Sequence, residues 1–275
     1  MKNGQFGHVF AGYGTDDRYS LGGNMSFFKN DRRISVVGLL NNINQQNFGT
    51  EDLLGVTSSG AGQRAGGGGR GGGGLGGSQD NFLVGQQSGI NKTNAVGINY
   101  SDKWGKKLNI SGSYFYNNSN NNNDQVLNRQ NLGQDTIKFY DENSISHSQN
   151  FNHRINMRLE YKIDSSNSLI FSPSLNFQKN NSTNSYKAIS SYHEGNIANE
   201  SENTTTNNRS GYNLRNNILY RHHFAKRGRT LSLNLNTAFN NNEGESFVLS
   251  ETKFYKGGVQ TDSTQNQFTN NLTKG

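Results

Sequence analysis

Cysteine is absent from the 275 residues, which excludes a disulfide framework, a thiolate metal site and a cysteine nucleophile. Proline occurs once, at Pro173, while asparagine outnumbers the 34 glycines. Long apolar runs are missing as well. No window approaches the roughly 18 apolar residues of a transmembrane helix, and the opening "MKNGQFGHVFAGYG" has no apolar core of a secretory signal. Hydrophobic residues make up only 30% of the chain, against a usual share of about 45–50%. A thick soluble core is therefore out of reach, and disorder is the obvious reading of such a composition. Against disorder stand 16 Phe and 12 Tyr, and the way the few apolar residues gather in alternating runs. The net charge of +7 is spread along the chain, a weak pointer to nucleic acid.

What is present is period-two patterning. In "FNHRINMRLEYKI" one face takes Phe151, His153, Ile155, Met157, Leu159, Tyr161 and Ile163. The other takes Asn152, Arg154, Asn156, Arg158, Glu160 and Lys162, as expected of a two-sided strand. The same pattern recurs in "RYSLGGNMSFF", "RISVVGLLN", "NAVGINY", "KLNISGSYFY", "SLIFSPSLNFQ", "GYNLRNNILYRHHF" and "LSLNLNTAF". With "GHVFAGYG" and a strand starting near Phe268, about ten strands are predicted. Helical periodicity is nowhere convincing.

The predicted connections alternate in length. Short turns fall at "KNDR" (29–32), "SDKWGKK" (101–107), "DSSNS" (164–168) and "AKRGR" (225–229). Long polar loops are expected over 44–90, 118–148, 180–209 and 241–265, with "TDDR" (15–18) a short member of that set. Antiparallel succession then puts all short turns at one end of the sheet. Soluble sandwiches have no reason to sort loops this way. Outer-membrane barrels do: short periplasmic turns, long extracellular loops, an apolar outside and a polar inside. Phe27, Tyr100, Trp104, Tyr161, Phe171, Tyr220 and Phe224 stand beside the short turns, where an interfacial aromatic girdle is expected. The fold expected is all-β, an antiparallel transmembrane β-barrel with its apolar face on outer-membrane lipid. The chain begins in strand-like sequence and stops at "QFTNNLTKG", so residues 1–275 read as part of a larger barrel domain.

"GQFGHVFAGYGTDDRYSLGGNMSFFKNDRRISVVGLLNNINQQNF" resembles the early strands of an outer-membrane β-barrel family related to TonB-dependent receptors. So does the succession of a Gly-rich insertion, "NFLVGQQSGI", "NYSDKWGKK" and "SYFYNNSNNNND". The likeness runs over nearly the whole chain and is most specific over 4–125. It implies a plugged barrel of about 22 strands, of which this chain supplies fewer than half, the plug and the C-terminal strands being absent. Implied partners are the plug domain, the remaining strands, the TonB energy-coupling system and an unidentified ligand.

Other motifs weigh little. "RAGGGGRGGGGLGG" (64–77, within a Gly-rich loop at 60–77) has only Arg64 and Arg70 among its glycines and no stacking aromatic, so a flexible loop is favoured over RNA binding. "GAGQRA" (60–65) matches a dinucleotide fingerprint without the helix that the fingerprint requires. Adjacent His222 and His223 point to opposite faces of a strand and cannot chelate together. No nucleophile elbow or paired carboxylates stand out, and no cofactor or catalysis is expected. The candidate lumen contacts with ligand or plug are Arg154, Arg158, Glu160, Arg215 and Arg221. They read either as an internal ion-pair lattice or as a basic lining that favours anionic solutes.

The function expected is a receptor and importer of TonB-dependent type in a bacterial outer membrane. Two rivals stand beside it: a non-transporting surface protein on the same barrel, serving as adhesin or scaffold, and a soluble Gly-rich RNA-binding protein.

Overall fold

The computed structural model describes residues 3–45, 88–132, 137–192, 195–226 and 228–275. Ten strands follow one another: β1 (Asn3–Tyr13), β2 (Tyr19–Lys29), β3 (Arg32–Asn41), β4 (Ile90–Trp104) and β5 (Leu108–Leu132). Then come β6 (Ile137–Lys162), β7 (Asn167–Tyr192), β8 (Ile197–His223), β9 (Thr230–Lys256) and β10 (Val259–Lys274). Each pairs antiparallel with the next in a single meander of order β1 to β10. No helix occurs among the described residues. β1 and β10 each have one strand neighbour, so the described sheet is open at both edges.

Turn chemistry closes the hairpins. Asn30 and Gly105 take left-handed backbone (φ 55° and 66°) at two short turns, and Gly257–Gly258 (φ 60° and 78°) closes the β9–β10 hairpin, where both central residues need positive φ. At the β6–β7 turn, Asp164 Oδ1 accepts the backbone N–H groups of Ser166 and Asn167 at 2.7 and 2.8 Å. These bonds hold its carboxyl below the usual carboxylate range, the Asn167 side-chain amide being the largest cause.

The expected sorting of connections by length is lost, because three of the expected long loops are mostly strand. Pairing continues to Leu132↔Ile137, Ser191↔Ile197 and Lys256↔Val259, and of the expected long loops only the β3–β4 connection stays long. Strands β5 to β9 are therefore 25 to 27 residues long, about 85 Å at 3.3 Å per residue. Their upper parts are rich in Asn, Ser and Thr on both faces, and no sustained amphipathic alternation marks them. Cross-strand pairs hold them instead: Asn180 Nδ2 donates to Asn150 Oδ1 at 2.5 Å, Ser185 meets Thr204 at 3.0 Å and Lys187 meets Glu202 at 3.1 Å. The Gly-rich stretch at 60–77 lies outside the described residues.

Burial is inverted relative to a soluble sheet. The alternating apolar residues lie on one face, and many stay exposed: Leu233 and Leu235 are 58% exposed, Phe239 54%. On the opposite, mainly polar face the part formed by β2 to β5 is enclosed, with Ser26, Asn41, Thr93 and Asn117 all buried, whereas in the first residues of β9 both faces are exposed. That face is not wholly polar. Val37, Leu39, Ala95 and Phe115 form a buried cluster on it, covered in part by Phe10 of β1. Gly22 makes room for that ring, since a Cβ there would come within 2.6 Å of Phe10 Cζ. The ends of the β3–β4 connection fold against the same face: Asn41 Nδ2 donates to the Gln45 carbonyl and Asn121 Nδ2 to that of Ser88, both at 2.7 Å. Asn44 ties the two ends together, donating to Gly89 O and accepting from Asn91 N.

Pro173 leaves the one interruption between β6 and β7. Pairing runs through Asn156↔Ser174 and resumes at Leu159↔Phe171 in the same register, while Pro173 keeps its partner Asn216 in β8. Without an N–H, proline loses its ladder bond on one side only, and the gap falls toward β6.

Candidate functional site

The register lines up the apolar face into a belt. In β7 it covers 169–177 and in β9 it covers 231–239, about nine residues each, the length with which a tilted strand crosses a bilayer. Of the expected girdle residues, Phe27, Tyr100, Trp104, Tyr161, Phe171 and Tyr220 stand on this face at the short-turn end, and Phe224 follows just past the end of β8 with its ring 4.5 Å from that of His222. Some are linked there: Trp104 Nε1 donates to the Tyr100 hydroxyl at 3.1 Å, and that hydroxyl to Asp102 at 3.0 Å. Asp102 also pairs with Arg32 at 2.9 Å, which ties the β2–β3 turn to the β4–β5 turn.

A second aromatic row bounds the far side of the belt. Tyr116, His153, Phe177 and Tyr212 are successive cross-strand partners from β5 to β8. The His153 ring lies 4.9 Å from Tyr116 and 5.9 Å from Phe177, and its Nδ1 meets the Tyr114 hydroxyl at 2.9 Å. From the sequence only His153 reads as an interfacial ring at this end; the cross-strand register adds the others. The two rows are eight residues apart along β6, from Tyr161 to His153, about 26 Å of strand.

The candidate lumen charges all lie on the opposite face, in β6 and β8, with β7 between them. Arg158 pairs with Glu160 of its own strand at 2.7 Å. Arg215 donates from Nε to Asn213 Oδ1 at 3.1 Å. The β7 residues between are Ile170, Ser172, Ser174 and Asn176, so no acidic side chain bridges the β6 and β8 arginines.

Toward the tips the polar face carries tyrosines flanked by cations. Arg129 lies 5.0 Å over the Tyr140 ring and Lys138 5.5 Å over Tyr192, contacts of cation–π type. The Tyr140 hydroxyl donates to Glu142, which pushes its pKa up to about 12 and keeps it a protonated donor.

Comparison with known protein families and with curated proteins found no match. The geometry alone carries the functional argument. It offers a belt of apolar side chains bounded by two aromatic rows, a mainly polar opposite face that carries several arginines, and a tall polar extension at one end.

Proposed function

We propose that the chain is part of the wall of a bacterial outer-membrane β-barrel, a receptor of TonB-dependent type that takes up a hydrophilic solute. The inverted burial supports this most directly. A sheet in water hides its apolar face, and contiguous exposed apolar patches beyond a few hundred Å² mark contact with a partner or a membrane. Here many large apolar side chains of the belt stay exposed, while across β2 to β5 it is the polar face that is enclosed. Covering each large apolar side chain with hydrocarbon stabilises it by about 1.5–3 kcal/mol, on the order of tens of kcal/mol for the belt. Exposed backbone at the sheet edges is incompatible with hydrocarbon. In the membrane, the free edges of β1 and β10 must therefore both be paired, so the wall is closed.

A non-transporting surface protein is the second reading. The extension of β5 to β9 favours it, because that region is far taller than a bilayer needs.

The test is a protease site placed between Gly257 and Gly258 in the β9–β10 turn, followed by treatment of whole cells. Cleavage in intact cells, with the protein in the outer-membrane fraction, supports the wall and its orientation. A soluble protein cut only after lysis overturns both readings.

A further inference from the structure

We propose that a hollow on the polar face of β6 to β10 binds a small hydroxyl-rich carboxylate of the sugar-acid type, anchored by Arg209. This rests on the wall reading only in that the polar face must be wet. The hollow has a volume of about 590 Å³ and lies over Gly211 and Gly244, diagonal neighbours on β8 and β9. Its sides are Asn150, Gln178, Asn180, Asn242 and Asn271, from β6, β7, β9 and β10 on either side of β8.

The glycines shape the floor. A Cβ at Gly211 would collide with the Asn242 amide oxygen and come within 2.8 Å of the Asn241 carbonyl oxygen; one at Gly244 would meet Arg209 Cγ at 3.3 Å. Both side chains can thus lie along the sheet, and the guanidinium is carried across the hollow.

Two polar groups there have no partner. Arg209 has neither ion pair nor hydrogen bond among the described residues, whereas Arg158 and Arg215 have theirs. Asn150 is 7% exposed, and its Nδ2 has no acceptor. A buried unpaired amide costs about 1–3 kcal/mol, and re-aiming it toward a solute removes that cost.

Chemistry narrows the class. A guanidinium presents a fork of donors that matches a carboxylate. Carboxamides both donate and accept, which matches hydroxyl groups. No aromatic ring lines the hollow. Glu243 borders it beside Gly244, but strand alternation turns its side chain, like that of Glu245, to the opposite face, where a second hollow of about 330 Å³ shares Arg209 and Gly244.

The experiment titrates the full chain in detergent micelles by calorimetry, with D-glucuronate and its neutral counterpart D-glucose. Circular dichroism of the strand signal verifies folding of every variant. Saturable glucuronate binding, with glucose at least tenfold weaker, is the expected result. Arg209→Gln should weaken glucuronate at least tenfold. Gly244→Ser keeps the charge but displaces the Arg209 stem, and should weaken binding severalfold. Glu245→Gln changes net charge by the same amount on the other face, away from the hollow, and should leave binding unchanged. Equal affinity for the two sugars, an unaffected Arg209→Gln, a strong effect of Glu245→Gln, or no glucuronate binding to folded protein each overturns the proposal. Whole-cell cleavage at the β9–β10 turn reads the wall separately, so either idea can fail alone.

Discussion

Strands β5 to β9 contain two regions that share one unbroken ladder and little else. In the belt, a strand shows apolar residues to one side and polar residues to the other, and both aromatic rows sit at its limits. Beyond the upper row the same strand continues, rich in Asn, Ser and Thr on both faces. The difference shows what sidedness is for: it appears where the two faces meet different surroundings and fades where both are wet. In the extension the strand conformation is inherited from neighbours already paired below, and cross-strand amide and hydroxyl contacts complete it.

The contrast can be tested by substitutions placed at matched positions. The largest effect is expected at Phe115, buried on the polar face of the belt. Phe115→Ala should cost about 3–5 kcal/mol in denaturant unfolding. Phe247→Ala, on the exposed upper part of β9, should cost far less. Next is Met157→Arg, at mid-belt on the apolar face of β6. In lipid it should cost about 2–4 kcal/mol, while Asn143→Arg, on the same face of the same strand but in the extension, should stay within about 0.5 kcal/mol. Equal costs would erase the distinction.

A chain without cysteine also allows single-thiol labelling. Cysteine at Leu214 should be shielded from a charged thiol reagent in membranes. Cysteine at Asn213, the adjacent residue on the other face, or at Thr204 in the extension should react readily. The smallest effect concerns the turn end. Because the Asp164 carboxyl is held below its ordinary value, the cap contributes fully above about pH 3.9 and is lost as pH falls through the lower folded value. Asp164→Ala should therefore lower the thermal midpoint at pH 7 and make no difference in strong acid.

Much of the belt is legible in the sequence. Alternation assigns Tyr161, Phe171 and Tyr220 to the apolar face, and Arg154 and Arg215 to the other, residue by residue. The extension is not legible, for a physical reason: a strand wet on both sides has no period to read, and Asn is a poor strand former. The apolar cluster around Phe115 is hidden for the opposite reason. "SGSYFYNN" puts tyrosines on one face and a single phenylalanine on the other, and nothing local says that Phe10, Val37 and Leu39 converge on it. The hollow over Gly211 and Gly244 also depends on register between strands, which no single segment encodes.

The tips of the tall hairpins have a consequence for how such a chain can vary. A residue added to each arm at a tip raises the hairpin by one rung and leaves every pair beneath it unchanged. A residue added to one arm alone would turn that arm's faces over unless a bulge absorbs it. The β7–β8 hairpin carries such an irregularity between Ser190 and Ser191, close to its tip. Insertions and deletions can therefore accumulate at the summit of each hairpin without reaching the belt, so lineages can change the height of the surface they present while keeping the same wall.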